Sequence, residues 1–162
     1  MKNILITGKN SYIGTSLENW LMREPDKYKV DTVDMKDRSW EDKDFSSYDV
    51  VFHVAAVVHQ KEQPEMKELY FKVNRDLPIE VAKKAIKAGA SQFIFMSTMA
   101  VYGEEGKLGQ EVVINSNTPV NPKTFYGVSK VEAETELDKL NDESFRVVVL
   151  RPPMVYGPNC PG

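Results

Sequence analysis

The sequence predicts an α/β fold, a doubly wound parallel sheet with helices on both faces. Three observations lead there. Short apolar runs of strand length alternate with helical stretches along the chain, which implies parallel strands joined by helical crossovers. A strand, a glycine-bearing turn and a helix open the sequence. The chain has 162 residues, 41% of them hydrophobic, which is the length of one domain with enough apolar side chain for a sizeable core.

The elements follow in order. Residues 2–7 hold the run Ile4-Leu5-Ile6 and read as a buried strand. The turn Gly8 to Gly14 leads into a helix over 12–23. A second strand over 29–33 ends at Asp34, and the mixed charges of 37–44 read as a surface loop. A third strand is expected over 49–54, followed by helices over 64–72 and 75–89. Pro78 should mark the first turn of the latter or kink it, and Gly89 should cap its end. Lys83, Lys84 and Lys87 read as a solvated helix face. A fourth strand is expected over 92–97. A long loop over 103–124 carries glycines early and prolines late, and should lie over the C-terminal strand edge. A helix over 126–140 and a strand over 145–151 complete the pattern. No internal repeat or low-complexity run interrupts it.

The chemistry concentrates in Tyr126-Gly-Val-Ser-Lys130. Residues four apart on a helix share one face. A free tyrosine, with a pKa of about 10, is a poor proton carrier at neutral pH. An ammonium beside it favours the phenolate. Lowering the value by about three units needs roughly 4 kcal/mol of differential interaction. One close, partly desolvated cation aided by a cationic cofactor ring could supply that. The pair alone is also what a solvated helix face carries.

The opening turn suits a dinucleotide. Glycine lets the backbone approach a pyrophosphate, and a helix N-terminus offers it free N–H groups and a positive dipole end. Asp34, at the end of the second strand, can accept both hydroxyls of an adenosine ribose and would repel a 2′-phosphate. The alternative for Asp34 is an ordinary loop acid.

Charge and composition exclude several classes. The net charge is −3 and the pI about 5.5, so nothing points to nucleic acid or an anionic membrane as partner. No stretch approaches the ~18 apolar residues of a membrane span. Cys160 is the only cysteine, which rules out an intrachain disulfide and fits a cytoplasmic setting. No metal-ligand cluster is expected.

Taken together, the motifs resemble the extended short-chain dehydrogenase/reductases, in the NAD-dependent sugar-nucleotide epimerase/dehydratase branch. Thr7-Gly8-Lys-Asn-Ser11-Tyr-Ile-Gly14 is similar to that family's TGxxGxxG turn except at Ser11. Asp49 to Ala56 resembles the strand ending in HxAA, and Val73-Asn74 the VN of the long middle helix. Phe93 to Gly103 resembles the strand that carries a Ser/Thr and ends in VYG. Tyr126-xxx-Lys130 matches YxxxK, and Leu150 to Pro158 resembles the last segment before a smaller substrate domain. The matches keep the family's order over nearly the whole chain.

The resemblance implies a Rossmann-type domain over 1–162, with the C-terminal substrate domain absent. It implies NAD as cofactor, with Gly8, Ser11 and Gly14 at the pyrophosphate and Asp34 on the adenosine ribose. Ala55 and Ala56 would floor the site. Tyr12, Ile13, Asn74, Ser97 and Pro153 would also belong to the cofactor site. Lys130 would hold the nicotinamide ribose and lower the pKa of Tyr126. Tyr126 would take a proton from a sugar hydroxyl as hydride moves to NAD, with Thr98 orienting that hydroxyl. The substrate would be a sugar nucleotide, and a homodimer is compatible with the chain. Three readings stay open: a 4-epimerase working through a transient 4-keto sugar, an NAD(P)H-dependent carbonyl reductase, and a non-catalytic dinucleotide-binding module.

Two departures from the pattern bear on this. Ser11 replaces a glycine, and could donate to phosphate or weaken cofactor binding. Met99-Ala100 stands where dehydratases carry an acidic pair, which argues against 4,6-dehydration. His53 reads as structural or cofactor-lining rather than catalytic, for want of a carboxylate partner. His59 either faces the sugar or is a polar loop residue. Met96, Met99 and Tyr102 read as packing residues.

Overall fold

A computed structural model of the chain describes residues 1–58, 62–103, 109 and 111–160. His59 lies outside the described residues. Five strands form one sheet: β1 (Lys2–Thr7), β2 (Tyr28–Val33), β3 (Val50–His53), β4 (Gln92–Met96) and β5 (Arg146–Leu150). Every neighbouring pair is parallel, in the order β2-β1-β3-β4-β5. The chain runs outward from β1 to β2 and then returns to β3 on the other side of β1. This reversal puts a crevice at the carboxyl ends of β1 and β3, where open α/β sheets bind ligands.

The period of two in a strand divides β1 between two cores. Leu5 faces the first, together with Val51, Phe93 and Phe95. Ile4 and Ile6 face the second, with Val50 and Phe52. Helix α1 (Tyr12–Leu21) closes the second core through Ile13, Leu17 and Leu21. Helices α3 (Leu77–Lys87) and α4 (Phe125–Asp138) close the first through Val81, Ala82, Ala85, Ala133 and Leu137. Each fully buried Phe of β4 contributes about 1.5–3 kcal/mol of burial. Among the described residues no helix is long and apolar enough to cross a membrane.

The middle of the chain departs from expectation. Two separate helices are predicted over 64–72 and 75–89. Instead a 3-10 turn (Pro64–Met66), α2 (Lys67–Phe71), a wide π-helical turn (Lys72–Asp76) and α3 run on without a break. Pro78 stands in the first turn of α3, where its missing N–H is harmless. The expected cap at the end of α3 is present. The N–H of Gly89 donates to Ile86 O, and that of Ala90 donates back to Ala85 O, each at 3.0 Å.

The segment 37–44, expected as a surface loop, instead winds Arg38–Glu41 into a 3-10 turn and is anchored. Trp40 and Phe45 are buried in the first core. Lys84, read as solvated, is half-buried. Its Nζ donates to the carbonyls of Trp40 and Glu41 and sits 4.9 Å from the Phe45 ring centre. Only Lys83 and Lys87 are exposed.

Candidate cofactor and catalytic site

The turn after β1 is built for close approach. The N–H groups of Gly8 and Lys9 both donate to Val33 O, at 2.9 and 3.0 Å, which turns the chain sharply across the end of β2. Gly8 has φ +119°, a region L side chains avoid. A Cβ there would lie 3.0 Å from Ala55 N and 3.0 Å from Val54 Cγ1. The turn therefore packs onto the segment after β3, with Ala55 and Ala56 half-buried beside the crevice.

Ser11 has a role that sequence reasoning missed. It is the N-cap of α1, and its Oγ accepts from the N–H of Gly14 at 3.1 Å. One of the free N–H groups of the helix start is thus satisfied internally. The hydroxyl proton stays available to a ligand. Tyr12 and Ile13 form the first turn of α1. Asp34 is half-buried just beyond β2, where its Oδ1 accepts from the N–H of Lys36 at 2.9 Å.

Thr98, Tyr126 and Lys130 come together at the carboxyl end of β4. Thr98 caps a 3-10 turn (Met99–Tyr102), its Oγ1 accepting from Ala100 N at 3.1 Å. The Thr98 side chain also stands near enough to the Tyr126 phenol to favour its ionised form. Gly127 makes this approach possible. A Cβ on it would lie 2.9 Å from Ala100 O and 2.9 Å from Pro122 Cβ. The start of α4 is capped twice. Thr124 accepts from the N–H of Gly127 at 3.0 Å. Glu62 accepts from the N–H groups of Phe125 and Tyr126, each at 2.8 Å.

The electrostatics correct one expectation. Burial raises the Tyr126 phenol above its ordinary value, and the nearby Tyr70 adds to this, while the Thr98 hydroxyl opposes it. The rings of Tyr70 and Tyr126 are 6.4 Å apart. Lys130 does not lower Tyr126 in the protein's own geometry. It is buried at 1% exposure, its Nζ donates to Met96 O at 2.7 Å, and it stands 6.0 Å from the Tyr126 ring centre. Desolvation drives the Lys130 ammonium down to about 7, against the opposing pull of Glu134. Any further lowering of Tyr126 must come from what binds beside it.

Three further residues are expected in the cofactor site, namely Asn74, Ser97 and Pro153. Asn74 is fully buried in the wide turn. Its Oδ1 accepts from Val57 N at 2.8 Å, and its Nδ2 donates to Val57 O at 3.1 Å. Its amide is spent on holding the segment after β3. Ser97 is buried and donates to Glu134. Pro153 is exposed. The residues that sequence reasoning overlooked are Glu62, Glu134 and Arg151. Glu134 was detectable, four residues after Lys130 on the same helix.

His53 is structural. It is fully buried, lies against the rings of Phe93 and Phe95, and shares a 2.7 Å hydrogen bond with Thr7 Oγ1. Burial and the Lys130 charge hold its pKa down to about 3, so it stays neutral. Tyr102 does more than pack, since its hydroxyl accepts from Arg151 Nη1 at 2.7 Å.

This sheet, with its glycine cradle at the strand reversal, defines a dinucleotide-binding domain of the short-chain dehydrogenase/reductase class. Comparison with known proteins places it further. The model of the NAD dependent epimerase/dehydratase family matches residues 4–162, and the chain belongs to that family. It is 33% identical to the UDP-glucose 4-epimerase of Vibrio cholerae, covering 97% of this chain and 53% of that protein. It is 26% identical to the N-acetyl-alpha-D-glucosaminyl-diphospho-ditrans,octacis-undecaprenol 4-epimerase of Escherichia coli O157:H7, covering 96% and 49%. Its fold superposes on UDP-glucuronic acid 4-epimerase from Bacillus cereus, solved in complex with NAD. The TM-score is 0.80 at 23% identity, covering 98% of this chain and 58% of that one. The chain spans about half the length of the curated relatives it matches first.

Proposed function

We propose that residues 1–162 are the NAD-binding half of a UDP-sugar 4-epimerase that works through a transient 4-keto sugar. The observation that carries this is the convergence of Thr98, Tyr126 and Lys130 at the crevice, in a chain whose curated relatives include 4-epimerases. The residues present fit NAD. Gly8, with no Cβ, lets the turn pack tightly on Val54 and Ala55 at the crevice, and Ala55 and Ala56 keep side chains short beside it. NAD, when bound, supplies a reversible hydride acceptor for a secondary alcohol.

The chain's own residues do the rest. Gly8, Ser11 and Gly14 hold the pyrophosphate at the α1 start, and Asp34 takes the adenosine ribose. Tyr12, Ile13, Ala55 and Ala56 line the site. Thr98 orients the sugar 4-hydroxyl. Tyr126 takes its proton as phenolate and later returns one to the 4-keto oxygen, once the sugar has turned its other face toward the cofactor. Lys130 holds the nicotinamide ribose. Burial raises the Tyr126 phenol and the Thr98 hydroxyl opposes that rise, so Thr98 both orients the sugar hydroxyl and favours the phenolate.

The test is a coupled assay with UDP-glucose, UDP-galactose and their N-acetyl forms. It is run on the purified 162-residue chain and on any longer product of its gene. Epimerisation without net consumption of NADH is expected from the longer product. The 162-residue chain alone should bind NAD but turn over poorly, because a sugar nucleotide would lack half its contacts. Comparable turnover by both would overturn the half-site reading. Stoichiometric NADH oxidation by a keto sugar would point instead to a reductase. Tyr126→Phe should lose about 10²–10⁴-fold in turnover.

A further inference from the structure

One ionic cluster lies beside the site just described and borders its Thr98–Lys130 end. Glu134 is 7% exposed, on α4 one turn beyond Lys130. Arg151 grips it with a fork. Nε lies 3.1 and 3.2 Å from the two carboxylate oxygens, and Nη2 lies 2.5 Å from Oε2. Ser97 donates to Oε1 as well. Arg151 uses its remaining arm on Tyr102, through Nη1, and its guanidinium sits 5.2 Å from the centre of that ring. The cluster therefore joins α4, the end of β4, the end of β5 and the turn that Thr98 begins.

Its members bracket the catalytic candidates in sequence and in space. Ser97 stands between Met96, whose carbonyl accepts a hydrogen bond from Lys130 Nζ, and Thr98. Tyr102 ends the turn that Thr98 starts. Residues four apart on a helix are neighbours, so the Glu134 carboxylate faces the Lys130 stem. Among the described residues, His53 on β3 and Tyr126 on α4 also neighbour Lys130, and beyond them Tyr70 on α2 lies against Tyr126 and Arg151 after β5 holds Glu134. Glu134 is the acid of this set, and it is the group that favours the charged amine. A bidentate pair at this depth is costly to desolvate and is a weak reason for stability by itself. Its geometry suits a different task.

We propose that Glu134 is a positioning residue for the reaction. Clamped by Arg151 and Ser97, it fixes the Thr98 turn against α4 and presents a negative charge to the Lys130 ammonium. The proposal rests on the reading of Lys130 under the proposed function, and it deepens that reading by naming what sets the state of Lys130.

The experiment follows the Lys130 amine directly. Lysine is isotope-labelled, and the side-chain resonance of Lys130 is assigned by its loss in Lys130→Met. It is then titrated from about pH 5.5 to about pH 9.5 in the parent chain, Glu134→Gln and Glu134→Asp, with NAD affinity measured in each. The amide keeps the shape and removes the charge. The Lys130 midpoint should fall by about half a unit in Glu134→Gln, and NAD affinity at neutral pH should fall about two-fold as the charged fraction of Lys130 roughly halves. Glu134→Asp, which keeps the charge, should stay closer to the parent. An unmoved midpoint in a folded Glu134→Gln would overturn the proposal, because a merely structural ion pair would not set the titration. If Glu134→Gln does not fold, Arg151→Lys decides. It frees the carboxylate from its fork, so the Lys130 midpoint should move, and an unmoved one overturns the proposal. Undiminished NAD affinity in Lys130→Met would sink the role of Lys130 in the cofactor site, a result separate from the midpoint shift.

Discussion

The backbone N–H of Tyr126 donates to Oε1 of Glu62 at 2.8 Å, across 64 residues of sequence. The other oxygen takes the N–H of Phe125. A carboxylate at a helix N-terminus satisfies orphan donors and meets the positive end of the dipole. It also fixes the start of α4 to the segment that follows β3, at the residue expected to carry the proton. Glu62→Ala should destabilise the chain by about 1–3 kcal/mol, since both N–H groups lose a charged acceptor. Urea denaturation of the two proteins measures it, and a loss near zero would mean that water replaces the carboxylate without penalty.

Lys130 sets a pH dependence of stability. Its folded value lies at about 7, below its ordinary value of 10.5. Between those limits the unfolded chain binds the extra proton, so this group's contribution rises as pH rises and is lost as pH falls through the window. Lys130→Met should therefore stabilise the fold most at or below neutral pH, with the gain shrinking toward pH 10. Thermal unfolding of both proteins across that range checks the sign. A gain that grows with pH would contradict the buried, desolvated amine.

Gly127→Ala should act on both fold and site. The added methyl would meet Ala100 O and Pro122 Cβ at 2.9 Å each. Overpacking of this kind costs about 1–3 kcal/mol. Relief by moving the Met99–Tyr102 turn would draw Thr98 from Tyr126. In any longer product of the gene that turns over substrate, the rate should fall by more than the stability loss explains. A stable Gly127→Ala variant with parental turnover would show that the turn has room to spare.

Asp34 makes a prediction about cofactor choice. The parent should bind NAD more tightly than NADP, and Asp34→Ala should narrow the gap by removing the carboxylate that repels a 2′-phosphate. Calorimetry with both cofactors measures it. Equal affinities in the parent would end the assignment of Asp34 to the ribose.

The sheet was legible because its signals are local. Ile4-Leu5-Ile6 and Val50-Val51-Phe52 announce buried strands, and the Gly8 turn announces the first crossover. Thr98, Tyr126 and Lys130 were legible through motif and order. What stayed hidden depends on partners far away in sequence. The wide turn around Asn74 has no local signature, since its tie is to the backbone of Val57, 17 residues back. Lys84 looks solvated until Trp40 and Glu41 fold over it. Glu62 lies 63 residues from Phe125, the first N–H it caps. The state of Tyr126 also escaped reading, because a pKa follows burial and spacing alone cannot report burial.

The wide turn at Lys72–Asp76 has a consequence for how this gene can vary. Each residue of a regular helix advances the wheel by about 100°. Here α2 points Tyr70 at Tyr126, and α3 points Val81, Ala82 and Ala85 into the sheet. The phase between those two faces is kept by the looser winding between them. An exposed side chain such as Lys72 could be exchanged there without shifting that phase. A one-codon insertion or deletion could not, because it would turn one face away from its neighbour whichever end stayed seated.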